Sequence, residues 1–151
     1  MGLDMYLYKD IFVGANYEHR KVTGTIELFT DGRKINVDLS KLSSIKEQVA
    51  YWRKANAIHN WFVINVQEGK DECQESYVDI EQLKTLLDTV SKVLEDHNLA
   101  EQLLPTQSGF FFGQYSYDEW YFEQFAYTKT ALEEAIKNKD DDGEFYYHAS
   151  W

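Results

Sequence analysis

The sequence predicts an α+β domain: a small antiparallel or mixed sheet with about three helices packed on one face, the first long helix largely buried. Three observations predict it. Short strand-like runs stand near both ends of the chain, an Asp-Gly turn marks a hairpin after the first, and three helical patterns lie between them. With 151 residues, one proline (Pro105) and no Gly/Ser linker or internal repeat, residues 1–151 read as a single domain able to build one core.

Residues 3–8 (Leu-Asp-Met-Tyr-Leu-Tyr) alternate as a strand does. Residues 24–38 read as a hairpin turning at Asp31-Gly32, because a type I′ turn needs positive φ at both central positions. Residues 43–67 form the longest helical pattern. A second helix is expected over Ile80–Asp96, with Asp79 as cap, Gln82 completing a capping box, and Leu83, Leu87, Val90 and Leu94 as one apolar stripe. Leu99–Leu104 adds a short helical turn that Pro105 ends. Ser108–Gly113 is apolar and bracketed by glycine, as a buried strand would be. Ser116 and Glu119 then match a capping box opening a third helix to about Asn138, with Glu123, Glu133 and Glu134 on the side away from Trp120, Tyr127 and Ala131. Asp142-Gly143 turns the chain into a last strand, Glu144–His148.

Composition excludes several classes. A formal charge of −11, from 15 basic and 26 acidic residues, opposes binding to a nucleic acid polymer, whose phosphates call for Lys and Arg. The acids are scattered, which fits solubility better than mimicry of DNA. Cys73 is the lone cysteine, so neither a disulfide framework nor a cysteine zinc site is expected. No apolar run approaches the ~20 residues of a membrane span, and Asp4, Lys9 and Asp10 interrupt any signal-like start; the expectation is a cytoplasmic protein.

The expected helix over 43–67 carries the chemistry. On a helical wheel its apolar residues fall on nearly every side, the mark of a central helix. Yet Arg53, Asn56 and Asn60, at spacings of three, four and seven, lie within about 60° of one another, with His59 just beyond and Trp52 adjacent. Buried polar groups need partners, supplied by the fold or by a ligand. In the first case Arg53 pairs with a carboxylate such as Asp4 and the asparagines hold loop backbone. In the second, a guanidinium, two amides and an imidazole meet a small polar or anionic molecule, with Trp52 or a tyrosine stacked on a base. Gln107 and Ser108, in the small polar stretch Thr106–Gly109, are a second candidate ligand contact, although the spacing is not that of a P-loop.

Catalysis has less support. The four histidines show no metal-binding spacing, no Gly-x-Ser-x-Gly elbow is present, and Ser108 has no identifiable base. The acidic run 71–75 departs from the calcium-loop pattern and reads as a solvated connection. No catalytic residue, metal ligand or cofactor is assigned, and a binder is favoured over an enzyme. A homo-oligomer remains compatible with the sequence.

Four phrases stand out: Met1–Tyr8, Tyr51–Phe62, Leu104–Gly113 and Phe145–Trp151. Together they resemble a family of small phage, prophage and bacterial proteins with no associated activity; residues 13–40 lie outside the resemblance. It implies a context in which small acidic proteins act against host defences. The expected function is a non-catalytic binder of a small, nucleotide-like ligand, acting as a counter-defence sponge. The alternative is an inhibitor that grips a host defence protein through exposed aromatics, around Tyr115–Tyr117 and the C-terminal rings.

Overall fold

The computed structural model describes residues 2–109, 112–139 and 142–151. The fold is α+β. A four-stranded antiparallel sheet is built from β1 (Asp4–Phe12), β4 (Ser44–Arg53), β5 (Ser76–Val78) and β6 (Glu144–Ser150), in the order β4-β1-β6-β5. A separate hairpin, β2 (Leu28–Thr30) and β3 (Arg33–Ile35), sits in the connection between β1 and β4. Four helices complete the fold: α1 (Asn56–Asn65), α2 (Ile80–Glu95), the short α3 (Ala100–Leu103) and α4 (Glu119–Lys137). Among the described residues no helix is long and apolar enough to cross a membrane.

The two terminal strands are the centre of the sheet. β1 pairs with β6 from Asp4 opposite Ser150 to Asp10 opposite Glu144, and with β4 along its other edge. Strand side chains alternate between faces, so one face takes Met5 and Leu7 of β1, Ala50 and Trp52 of β4, Phe145, Tyr147 and Ala149 of β6, and Val78 of β5. These join Ile58 and Phe62 of α1, Leu83, Leu86, Val90 and Val93 of α2, and Phe125 and Leu132 of α4 in one core. Phe62 stacks on Tyr147 at 3.9 Å between ring centres. The other face carries Tyr6, Tyr8, Tyr51, Tyr77, Tyr146 and His148, half-buried or exposed.

Local chemistry explains most of the elements. Asp79 caps α2 with the complete capping box, its carboxylate accepting from Glu81 N–H and Gln82 Oε1 accepting from Asp79 N–H. The hairpin turns at Asp31 and Gly32, with φ of 47° and 70°, as a type I′ turn requires. Its strands have no buried side chain.

Three expectations are corrected. The single helix over 43–67 is instead a strand followed by a helix. Lys54 takes a left-handed φ of 57° and Asn56 N–H bonds back to Lys54 O, so the chain turns sharply between them. Strand alternation is masked in β4 because Leu7 faces Ala50 while Tyr8 faces Gln48, leaving Val49 as an extra, bulged residue. Ser108, Gly109, Phe112 and Gly113 lie in irregular backbone and not in the expected buried strand; residues 110 and 111 fall outside the described part. Finally, Asp118 and not Ser116 caps α4, accepting from Tyr121 N–H, while Ser116 Oγ donates to Asp118. The cap thus stands two residues later than expected, and the buried stripe is Tyr121, Phe125, Thr128, Ala131, Leu132 and Ala135, with Trp120 and Tyr127 exposed.

Trp52 is among the largest fully buried side chains, and its indole N–H donates to Thr128 Oγ1 at 2.8 Å. Thr128→Val keeps the shape and removes the acceptor. We expect it to lower unfolding free energy by about 1–3 kcal/mol in urea denaturation, the cost of an unpaired buried donor.

Burial holds the phenols of Tyr121 and Tyr147 above their ordinary value. Such a phenol keeps its proton in the fold but loses it in the unfolded chain above about pH 10, so its contribution is full below that pH and is lost as pH rises further. Ultraviolet titration should show two tyrosine classes, with the buried one ionising only as the protein unfolds at alkaline pH.

Candidate functional site

β4 ends at Arg53, and three close contacts shape the turn and loop beside it. Lys54 N–H donates to Leu3 O at 2.7 Å, anchoring the turn on the chain start. Gly113, at a φ of 88°, lies so near that an added Cβ would stand 3.0 Å from Lys54 Cβ and 3.4 Å from Lys54 O. Asn56 then fastens the 106–114 loop. Its Nδ2 donates to Phe112 O at 3.0 Å and Gln114 O at 2.9 Å, and its Oδ1 accepts from Gln107 N–H at 2.9 Å.

Across from that loop, α4 lies along the outer edge of β4. Tyr51 N–H, unpaired on that edge, donates to Tyr127 Oη at 3.0 Å, next to the Trp52–Thr128 bond. Trp120, Gln124 and Tyr127, one turn apart, therefore face Tyr51, Arg53 and Lys54. The result is a cleft of about 740 Å³, closed at one end by Gly113 and Gln114. The hole beside Asn56 measures only about 10 Å³, too small for a ligand larger than a water.

The cleft joins two cations, three rings and two amides. Tyr51, Trp120 and Tyr127 are 37–43% exposed, much for such large side chains. Arg53 is held loosely: its guanidinium lies 3.9 Å from Asp4 and the side chain is 60% exposed. An exposed pair of this kind contributes little and yields readily to a better-placed anion. Tyr51 donates its hydroxyl to Asp4, and that hydrogen bond raises its phenol, so it stays a proton donor. Lys54 holds its left-handed backbone at a cost of order 1–3 kcal/mol, a strain that collects at functional sites.

The predicted site residues separate. Arg53 lines the cleft, but the row it was expected to share with Asn56 and Asn60 does not exist, because Arg53 ends a strand and the others lie on α1. Asn56 is buried and fully engaged by loop backbone. Asn60 borders a different groove with Trp61 and Ile64. Trp52 points into the core, and Gln107 and Ser108 are exposed without lining the cleft. Gly109 serves the packing of Phe112, whose ring an added Cβ would meet at 2.5 Å. Lys54, Gln114, Trp120, Gln124 and Tyr127 escaped the sequence reading; Trp120, Gln124 and Tyr127 do carry the signal of a polar and aromatic stripe on one helix.

His59 is fully buried and belongs to a second cluster. Its Nδ1 is 2.7 Å from Tyr147 Oη and its Nε2 is 3.0 Å from Asp71 Oδ2, while Trp151 Nε1 donates to Asp71 Oδ1 at 3.2 Å. Asp71 is thus a structural partner and not part of a merely solvated run. The chain of groups resembles a catalytic relay, but Tyr147 has no exposed surface and can touch no substrate. Among the described residues no three His, Cys, Asp or Glu side chains come together to hold a metal ion.

Fold and site together define a four-stranded antiparallel α+β protein with an open cationic and aromatic cleft at the edge of its sheet. Compared with protein families, curated proteins and solved structures, the chain matches none of them. Function is therefore read from the cleft itself.

Two substitutions check how the cleft is built. Asn56→Ala strips three backbone groups of their partner and should cost about 2–3 kcal/mol, with faster amide exchange confined first to residues 106–118. Gly113→Ala adds both the contact with Lys54 and an unfavourable φ; a loss of about 1–3 kcal/mol in thermal unfolding is expected.

Proposed function

We propose that the cleft beside β4 binds a small anionic molecule bearing an aromatic ring, a nucleotide by its chemistry, and holds it without turnover. The observation that carries this is the meeting of Arg53 and Lys54 with Tyr51, Trp120 and Tyr127 in one cleft of about 740 Å³. Arg53 supplies a planar fork for phosphate oxygens and Lys54 a point charge beside it. The rings offer faces for a base, and Gln114 and Gln124 offer both donors and acceptors to its edge. The volume is within the ~300–1,000 Å³ typical of small-molecule sites. Among the described residues, the lining has no carboxylate, histidine or thiol to act as base or nucleophile, which favours a binder over an enzyme.

Set beside the phage and prophage resemblance, such a binder is a counter-defence sponge that sequesters a signalling nucleotide. That setting is supported by the resemblance alone. An inhibitor that grips a partner protein is the second reading, favoured by the exposure of Tyr77, Tyr115 and Tyr117.

Native mass spectrometry of the purified protein, before and after incubation with mono-, di- and cyclic nucleotides, tests the reading. One nucleotide per chain is expected, released intact on denaturation, with binding weakened about tenfold or more by Arg53→Ala and by Trp120→Ala. Failure of every nucleotide to bind, or binding indifferent to both substitutions, would remove the proposal. Release of a chemically altered nucleotide would make the protein an enzyme.

A further inference from the structure

The sheet face turned away from the helices is paved with rings. By register, Tyr6 of β1 stands between Tyr51 of β4 and His148 of β6, and Tyr8 stands beside Tyr146, which in turn faces Tyr77 of β5. Tyr6 and Tyr8 are stacked, 5.7 Å apart and 5° from parallel, and Tyr77 meets Tyr146 edge to face at 5.9 Å. Carboxylates stand among them: Asp4 and Asp10 on β1, Glu144 on β6 and Glu75 just before β5.

Arg53 borders one end of this face beside Asp4, and two further cations already lie over its rings. Lys46 Nζ lies 5.1 Å from the centre of the Tyr8 ring and 3.0 Å from Glu75 Oε2. At the far end of β1, the Arg20 guanidinium lies 5.9 Å from the Phe12 ring and 2.9 Å from Asp142 Oδ2. Each is a cation over an aromatic ring with a carboxylate partner, the arrangement that recognises Lys and Arg. Beside Arg20, Phe12 and Asp142 lies a groove of about 370 Å³ that Asp10, Glu144 and Tyr146 also border. Asp10 Oδ1 there is buried and has no hydrogen-bond partner among the described residues.

We propose that this tyrosine face is a docking surface for a basic, extended segment of a partner protein, whose Arg or Lys side chains lie over Tyr146 and Tyr77 and pair with Asp10 and Glu144. Size favours a segment: three strands of about seven paired residues span roughly 14 Å by 23 Å, and the three-residue β5 adds one corner, ~400 Å² in all, half of what each partner in a standard interface buries. Charge selects its sign. Rings of this kind also stack nucleic acid bases, but here the surrounding carboxylates repel phosphate, and Lys46 and Arg20 are already engaged. A second copy would set the same acids against each other in a chain of net charge −11.

The test is fluorescence anisotropy with a fluorescein-labelled nine-residue peptide of alternating arginine and glycine. Tyr77→Leu/Tyr146→Leu leaves the net charge unchanged and should weaken binding about tenfold, the scale of two cation–π contacts. Asp10→Asn/Glu144→Gln should weaken it at least as much. Glu133→Gln/Glu134→Gln, an equal change of charge on exposed α4 positions, should leave it within about twofold. Circular dichroism confirms that each variant folds, and amide shifts in the unaltered protein should move at residues 6, 8, 77, 146 and 148. Equal losses from both acid pairs with none from the ring pair would show diffuse attraction and overturn the proposal. Ring-dependent binding of oligouridine, or ring-dependent dimerisation in sedimentation, would overturn it in favour of those occupants. None of the four positions changed on the face lines the cleft, so this outcome is independent of nucleotide binding.

Discussion

Two neighbouring hydrogen bonds determine what the molecule can present. Tyr51 N–H donates to Tyr127, and the indole of Trp52 donates to Thr128. The Tyr51 N–H points out of the edge of β4 and the Trp52 side chain into the core, and residues adjacent on a helix are 100° apart, so the two bonds together fix both the position and the rotation of α4. The Trp52 bond is compulsory, because an indole N–H buried without a partner would be costly. Once α4 is turned to place Thr128 over Trp52, Phe125 and Leu132 enter the core and Trp120, Gln124 and Tyr127 must face outward beside the strand. The cleft is the space left over when the core is satisfied.

The rest of the cleft is held from the other side by Asn56. Its amide does for the 106–114 loop what a short strand would do, offering one acceptor and two donors to passing backbone. Because Asn56 opens α1 and Lys54 sits in a left-handed turn before it, the loop arrives where Gly113 can press against Lys54. Only glycine combines that φ with that approach. The backbone around Arg53 and Lys54 is therefore set before a ligand arrives, and only the side chains remain to be ordered. Pre-organisation of this kind lowers the entropic cost of binding.

Much of this was legible in the sequence. The α+β class, the Asp31-Gly32 turn, the capping box of α2 and the terminal strands arise from local rules that tertiary contacts do not override. The error over 43–67 has a physical origin. A bulge at Val49 breaks the period of two, and an exposed edge strand such as Ser44–Gln48 carries Lys, Glu and Gln with no apolar rhythm to mark it. The helical wheel drawn through both elements then placed Arg53 beside Asn56 by an accident of spacing. Arg53 lines the cleft because it ends a strand whose edge faces α4. The cleft could not be read ahead because it joins residues 51–54, 113–114 and 120–127, and their meeting depends on the strand order and on the rotation of α4 that the Trp52–Thr128 bond sets. Asn56 shows the opposite case, since a lone polar residue opening an apolar helix had the alternative of holding loop backbone, and it takes that alternative.

The overall acidity and the cationic cleft are compatible, and on the reading proposed for the cleft their combination sorts ligands by size. At physiological ionic strength a charge is felt over about 8 Å. A mononucleotide seated between Arg53 and Trp120 lies within that distance of two cations, and most of the scattered carboxylates act on it only weakly. A polymer cannot stay within the cleft. Its remaining phosphates would extend over a surface with 26 acidic residues against 15 basic ones, and each would add repulsion in place of the counterion release that normally drives such binding. The sheet face reverses the sign of the same selection: there the carboxylates lie among the rings, and the nearby cations are already paired with acids. One acidic chain thus combines two patches of opposite charge, the cleft where the end of β4 meets α4 and the acidic tyrosine face farther along the sheet, with Tyr51 bordering both.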